Sequence, residues 1–466
     1  MQTYLFYDIE TTGLNKAFDQ VLHFAAIRTD LSLNELSRHE VKVKLNPDVI
    51  PSPYALLTHK MGIKEIVSGA PEFEAIKQIH QWMNEPGTIS LGYNTLGFDD
   101  EFLRFSFYRN LLKPYTHQYA NQCFRMDIYP MTVMFYLFKN NALLWPEVGG
   151  RPSLKLENIN AKNNLIQGRS HHAMVDVEVT LELARRLMQE REMWEYLHGY
   201  FKKEIDLGRM QPLQKETALA VSGKIGSQNN YQSPVLFLGN HRHYTNQSLW
   251  LRLDTEELSE TTLDTIAEKT WVINKKPGEP NFILPFKDRF LTHIDAGRLA
   301  LTEKNKQWLQ ENPTLFEKIV DYYSHYKYPV YPQTDVEASL YINGFWSSID
   351  ETFCQRFHAA IVSDKVKAAE NVKNPTLQGL ALRILGRNYP EALGLSETEK
   401  FSTYLQSINS SNVDEVPIDF QGRKRMSPRV AMEEIKTLRA ETELNSEDLV
   451  LLEDFEAYLQ KAFVVS

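Results

Sequence analysis

The first 45 residues most restrict the fold. Thr3–Tyr7 is an aromatic and β-branched run that stops at Asp8, and Leu22–Arg28 and Val41–Leu45 repeat the pattern between turn residues. Three such runs predict an opening three-stranded meander. Helical and extended patterns then mix: Glu72–Met83 and Asp100–Leu112 have helical spacing, and Thr88–Tyr93 is a short apolar strand. In His172–Arg191, Val175, Val179, Leu183 and Leu187 recur four apart, with Arg185 and Arg186 on the far side. These features predict an α/β domain over residues 1–190.

The texture changes after that point. Val235–Leu238, Leu249–Leu253, Trp271–Ile273 and Phe282–Phe286 are strand-like and are punctuated by Pro and Gly, so residues 191–345 are expected to form a small β-rich domain with helical excursions such as Ala300–Leu309. After Gly344 the pattern is helical, through Phe353–Ala369, Thr376–Leu385, Pro428–Leu438 and Ser446–Phe463, which predicts a helical domain over 346–466. A chain of 466 residues accommodates three domains. Arg423, Lys424 and Arg425 read as a loop, either a solvated surface or a DNA contact.

Composition narrows the function classes. No apolar run approaches the roughly 18 residues that span a bilayer, so no membrane span is expected. A net charge of −9 argues against a general polyanion trap, and any nucleic-acid contact must come from a local basic groove. Cys123 and Cys354 lie too far apart in sequence to resemble a disulfide framework or a Cys-pair metal site. The N-terminus carries no basic leader and long apolar stretch, and a reducing cytoplasm is the expected location.

Chemistry concentrates in three places. Asp8 and Glu10 are one residue apart at a strand end, so both carboxylates share a face and call for a cation. The pair alone also fits an exposed strand end, but the Thr11-Thr12-Gly13-Leu14 turn that follows lets backbone approach a ligand closely. Asp99 stands within GYNTLGFDDE, and its neighbour Asp100 reads as a helix cap. His171, His172 and Asp176 fall in SHHAMVDVEVT at the start of the first domain's last helix.

The order Asp8, Glu10, Asp99, His171, Asp176 resembles the DEDDh exonuclease superfamily, with its D-x-E-T-x-G motif, a later aspartate and H-x-x-x-x-D. Hard oxygen ligands without a cysteine pair favour Mg²⁺, with Mn²⁺ a substitute, and two such ions about 3.5–4 Å apart can clamp a scissile phosphate. The resemblance implies an RNase H-like fold in which Asp8 bridges both metals, Glu10 and Asp176 complete the first site and Asp99 orients the second. His171, with an ordinary pKa of about 6.5, would take the proton from the attacking water. His172 occupies the place of the tyrosine in the tyrosine-type branch, but the spacing of His171 to Asp176 is that of the histidine type.

The resemblance reaches beyond these motifs. FAAIRTD at 24–30, GYN at 92–94, FYRN at 107–110, SLKLENI at 153–159, NGFWS at 343–347 and RNYP at 387–390 are similar to bacterial exonuclease I, whose members join an exonuclease, an SH3-like β and a helical domain. This likeness implies a monomeric, processive, single-strand-specific 3′ to 5′ exodeoxyribonuclease of repair and recombination, releasing 5′-mononucleotides and binding the acidic C-terminal tail of single-stranded DNA-binding protein. It also implies DNA contacts at Glu10, Arg104, Tyr115 and Tyr119, with Lys155 where the family has an arginine.

Basic residues Arg104, Arg109, Lys113 and Arg125 interleave with aromatic ones in this region, as a single-strand site requires, whereas Phe102 and Phe105 read as core. Leu14 reads equally as a wedge at the terminal base or as packing, and Lys139 is a candidate for the acidic tail. The extra domains are expected to confine the strand, so deletion after residue 190 would abolish processivity and spare some cleavage. An RNA-directed relative and an inactive single-strand clamp are the alternatives.

Overall fold

The structure is a computed structural model that describes residues 1–168, 172–410, 412–441 and 443–463. Its N-terminal part is built on a mixed sheet of five strands, β1 (Thr3–Thr11), β2 (Val21–Thr29), β3 (Glu35–Lys42), β4 (Thr88–Leu91) and β5 (Phe124–Arg125). Their order is β3-β2-β1-β4-β5, with β1, β2 and β3 antiparallel and β1, β4 and β5 parallel.

The alternation along β1 sets the two faces. Leu5, Tyr7 and Ile9 enter a core with Ile76 and Ile79 of helix α1 (Glu72–Met83) and Phe102 and Phe107 of α2 (Asp99–Arg109). Tyr4 and Phe6 face the other way, into a core with Met131 and Phe135 of α3 (Ile128–Phe138) and Val177, Leu181 and Ala184 of α4 (Ala173–Met188). Asp8 and Glu10 continue that second row.

The meander is present, but its third strand is Glu35–Lys42 rather than Val41–Leu45. The inward positions of β3 include Ser37 and His39, so the alternation is real but half polar. His39 lies on Trp82 with ring centroids 4.7 Å apart. The apolar Val43 and Leu45 fall past the strand, where Leu45 joins a core with Leu56 and Ile66.

The middle of the chain carries an antiparallel sheet of β6 (Thr217–Val221), β7 (Gln232–Asn240), β8 (Ser248–Arg252), β9 (Val272–Lys275) and β10 (Phe282–Pro285), in the order β9-β8-β7-β6-β10. β6 was not expected: its TALAV sequence is short and small-residued, yet all five residues are buried. Helices α5 (Ala296–Glu311) and α6 (Pro313–His325) follow. Leu219, Val221, Phe282 and Leu284 pack into the same core as α3 and α4, so the two sheets share apolar filling.

The C-terminal helices are α7 (Ser348–Ala359), α8 (Val362–Asn371), α9 (Pro375–Asn388), α10 (Leu395–Ile408), α11 (Pro428–Glu441) and α12 (Ser446–Ala462). The expected helix 353–369 is thus two, parted at Ala360 and Ile361, and α10 is additional. Phe357, Leu377, Leu380 and Ile384 pack with Phe18, Phe73, Phe105 and Leu111 of the first part. Ala431, Ile435, Leu452 and Phe455 close over Leu45, Leu56 and Ile66.

Between these cores lies a buried ionic cluster. Arg425 Nη2 is 3.1 Å from Asp48 Oδ2, Arg425 Nη1 is 3.2 Å from Glu337 Oε2, and Arg387 bridges the same two carboxylates. Arg425 is only 3% exposed, which corrects its reading as part of a solvated or DNA-facing run. Arg423 and Lys424 remain partly exposed, paired with Asp419 and Asp414. Among the described residues no helix is long and apolar enough to cross a membrane.

Candidate active site

The acid face of β1 meets the start of α4. Asp8 lies opposite Ala25, Glu10 opposite His23, and α4 crosses this face so that Asp176, on its first turn, joins them. One carboxylate oxygen from each of Asp8, Glu10 and Asp176 lies within 4.8 Å of the others. Asp99 starts α2, and its Oδ1 accepts the Ile9 N–H at 3.3 Å, which ties it to the strand between Asp8 and Glu10. The four carboxylates of the sequence reading therefore come together.

Their charges oppose one another. Burial first, then Asp99, Glu10 and Asp176, push the Asp8 carboxyl well above its ordinary range. Glu10 is pushed up to about 8 by burial and by Asp176 and Asp99. Burial also carries Asp99 up to about 8, against hydrogen bonds from its own backbone N–H and from Ile9 that favour the charged form. An all-oxygen group of this kind fits hard divalent cations, which would remove the repulsion.

The proposed base His171 lies outside the described residues. His172 is the N-cap residue of α4: its carbonyl accepts the N–H groups of Val175 and Asp176, and its exposed ring stands edge-on to His23 rather than among the three carboxylates.

The turn after Glu10 is held by Asp19, which the sequence reading passed over. Asp19 accepts the Asn15 N–H at 2.7 Å and the Thr12 hydroxyl at 3.1 Å. A Cβ at Gly13 would lie 2.5 Å from Asp19 Oδ2, so only glycine allows this closure. Arg109 braces the same loop from below, donating to the Asp19 carbonyl at 2.9 Å while paired with Glu72. Leu14 is thereby displayed at the tip, 76% exposed.

Asp127 was also missed. It accepts N–H groups from Asn94 at 2.8 Å, Leu96 at 3.1 Å and Tyr129 at 2.9 Å, capping α3 and fixing the turn that leads to Asp99. Asn94 takes the left-handed conformation, φ 63°, in that turn. The N-cap signal before the apolar run Ile128–Phe138 was available in the sequence.

Asp100 does not cap a helix with its side chain, which corrects that reading. It accepts from His117 at 2.9 Å and pairs with Arg104 and Arg125, each at 2.6 Å. Burial alone would raise its pKa, but Arg104 and Arg125 hold it far below the usual carboxylate range. Arg104 is consequently buried, its guanidinium 5.7 Å from the centre of the Tyr115 ring, and Arg125 reaches on to Glu279 of the middle part.

Tyr115 and Tyr119 help line a cleft of about 50 Å³ with Phe345 and Trp346. Phe345 is 85% and Tyr119 68% exposed, and Tyr115 meets Phe345 edge-on at 5.8 Å. Phe102 and Phe105 are fully buried, as expected. Lys155 is exposed at the start of helix Leu156–Asn163, and Lys139 at the end of α3 pairs with Glu190 at 2.8 Å.

The Exonuclease family matches residues 5–184, and the Exonuclease I C-terminal domain family matches 334–462. Exodeoxyribonuclease I of Escherichia coli is 29% identical over 437 residues, 87% of this chain and 90% of that protein. The chain is a homologue of exodeoxyribonuclease I over most of its length and carries both of these domains. Another exonuclease I relative, from Haemophilus influenzae, is 26% identical over 445 residues, covering 87% of this chain and 90% of that one. The solved structure of E. coli exonuclease I with a 5cy-dT13 oligonucleotide superposes with a TM-score of 0.86 at 25% identity, covering 99% of this chain and 100% of that one. This chain is thus a nuclease-type hydrolase with an RNase H-like catalytic part, and its Exonuclease domain implies dependence on a divalent metal.

Proposed function

We propose that this chain is a processive, single-strand-specific 3′ to 5′ exodeoxyribonuclease that uses two Mg²⁺ ions and releases 5′-mononucleotides. The observation that carries this reading is the meeting of Asp8, Glu10 and Asp176 within 4.8 Å, with Asp99 tied to the same strand. Bound divalent ions supply Lewis acidity at the phosphate and lower the pKa of water. Asp8, Glu10, Asp99 and Asp176 hold them, and His171, five residues before Asp176, takes the proton from the attacking water.

The relatives named exodeoxyribonuclease I and the solved relatives in complex with oligonucleotides support DNA as the substrate. The Tyr115, Tyr119 and Phe345 rings offer the sequence-tolerant stacking surface that a single strand needs. In this reading Leu14, exposed at its turn, parts the terminal base, Lys155 meets a phosphate, and Arg104, beside the Tyr115 ring, steadies it. A role in repair and recombination, a monomeric state, and recognition of the acidic tail of single-stranded DNA-binding protein with Lys139 among its contacts belong to the same reading.

A time course on 3′-labelled and 5′-labelled single-stranded DNA, with Mg²⁺ or EDTA, tests it. Immediate metal-dependent release of mononucleotide from the 3′ label is expected. Release from the 5′ end, or cleavage of RNA but not DNA, overturns it.

A further inference from the structure

A second set of metal-type donors lies on the acid face of the sheet, beside the proposed catalytic carboxylates, and the proposed function assigns it no role. His23 on β2 is directly opposite Glu10 on β1, and residues so opposed share a face with Cβ atoms about 5 Å apart. Glu40 on β3 is opposite Ala25, two residues further along β2 and on that same face. His172 arrives from the N-cap of α4. His23 Nε2 is 2.8 Å from Glu40 Oε1, and the two imidazole rings stand edge-on with centroids 5.3 Å apart. One ligand atom from each of the three side chains lies within 4.8 Å of the other two.

We propose that His23, Glu40 and His172 bind a transition-metal ion of the zinc class, separate from the cations of Asp8, Glu10, Asp99 and Asp176. Two imidazoles and one carboxylate form a donor set that suits Zn²⁺, Co²⁺ or Ni²⁺, whereas the all-oxygen group next to it suits Mg²⁺. The sheet therefore carries two sites sorted by ligand softness.

The geometry needs little adjustment. Two donors on one tetrahedral zinc, each about 2.0–2.1 Å from it, stand about 3.3 Å apart. His23 and Glu40 are already close to that separation. His23 is buried and fixed by the sheet, whereas Glu40 and His172 are exposed side chains with room to turn inward. Three protein ligands leave a fourth position for water or another exchangeable group, the arrangement of open zinc sites. Burial also favours the neutral, ligating form of His23.

The test is calorimetric titration of the full chain with Zn²⁺ in excess Mg²⁺. Wild type is compared with Asp8→Asn, which weakens the carboxylate site, and with His172→Ala and Glu40→Gln, whose exposed positions spare the fold. One Zn²⁺ per chain is expected in wild type and in Asp8→Asn, with affinity falling at least about tenfold in either of the other two. Co²⁺ bound to wild type should show the strong visible bands of a four- or five-coordinate imidazole site, and His172→Ala should lose them. Zinc uptake that vanishes in Asp8→Asn but survives in His172→Ala would assign all of it to the catalytic acids and overturn the proposal. Absence of uptake in wild type would do the same, and in both cases the nuclease reading stands.

Discussion

Single side chains at the catalytic centre are arranged against their own electrostatics. Replacing Asp8 or Asp176 by Asn should lower kcat by roughly 10³-fold, about 4 kcal/mol of barrier, in a single-turnover assay. In EDTA, Asp8→Asn should instead raise Tm, because one of several repelling charges is gone. A pH dependence follows as well. Glu10 and Asp99 have folded pKa values raised to about 8, so the folded state holds protons that the unfolded chain releases, and their contribution to stability is lost as pH rises through 8. His80, His198 and His358 are pushed down to about 4 by burial and have the opposite effect, but only below their ordinary pKa of about 6.5. Between pH 6.5 and 8 metal-free protein should therefore lose thermal stability, and Mg²⁺ should flatten that slope. Melts at three pH values, with and without EDTA, check this.

The four proposed catalytic acids were legible in the sequence because their combined order and spacing resemble the DEDDh pattern, although each short motif alone is weak. Asp19 was not, because its bonds to Asn15 and Thr12 close an aperiodic turn, and Asp127 showed only as a cap for α3, with nothing local to announce its bonds to Asn94 and Leu96 some 30 residues earlier. Asp100 was misread for a related reason: an aspartate at a helix start looks like a cap, and nothing local announces His117 or Arg125.

Strands and helices were readable where their apolar positions are periodic and were lost where they are not. β3 was displaced because its inner row holds Ser37 and His39, and β6 was passed over because Thr-Ala-Leu-Ala-Val has little bulk to signal burial. The most exacting element is α2, whose first turn supplies both the proposed catalytic acid Asp99 and the Asp100 hub. Asp100→Asn would leave Arg104 buried without its counter-charge and Arg125 with Glu279 alone. It should cost about 3–5 kcal/mol in urea unfolding and, by freeing the Tyr115 ring, raise KM for single-stranded DNA more than it lowers kcat.

The division of the chain into three textures suggested separable parts, but the packing does not separate them. Phe18, Phe73, Phe105 and Leu111 share a core with α7 and α9, and Leu219, Val221 and Phe282 fill the core of α3 and α4. A chain cut after residue 190 would bare these surfaces. It should aggregate or melt well below the intact protein by light scattering and calorimetry, before processivity is in question. The full chain should unfold in one transition, with loss of activity coincident with loss of helix.

The core formed by Phe105 and Leu111 with Leu380 and Ile384 also sets a schedule for synthesis. The covering residues leave the ribosome some 270 residues after those they cover, roughly 15–50 s later at bacterial elongation rates. A nascent chain therefore carries the four proposed catalytic acids long before α2, which bears Asp99 and Phe105, has its final support. Ribosome-arrested chains ending before α7 are expected to lack nuclease activity, so the enzyme would switch on only when its own translation is nearly complete.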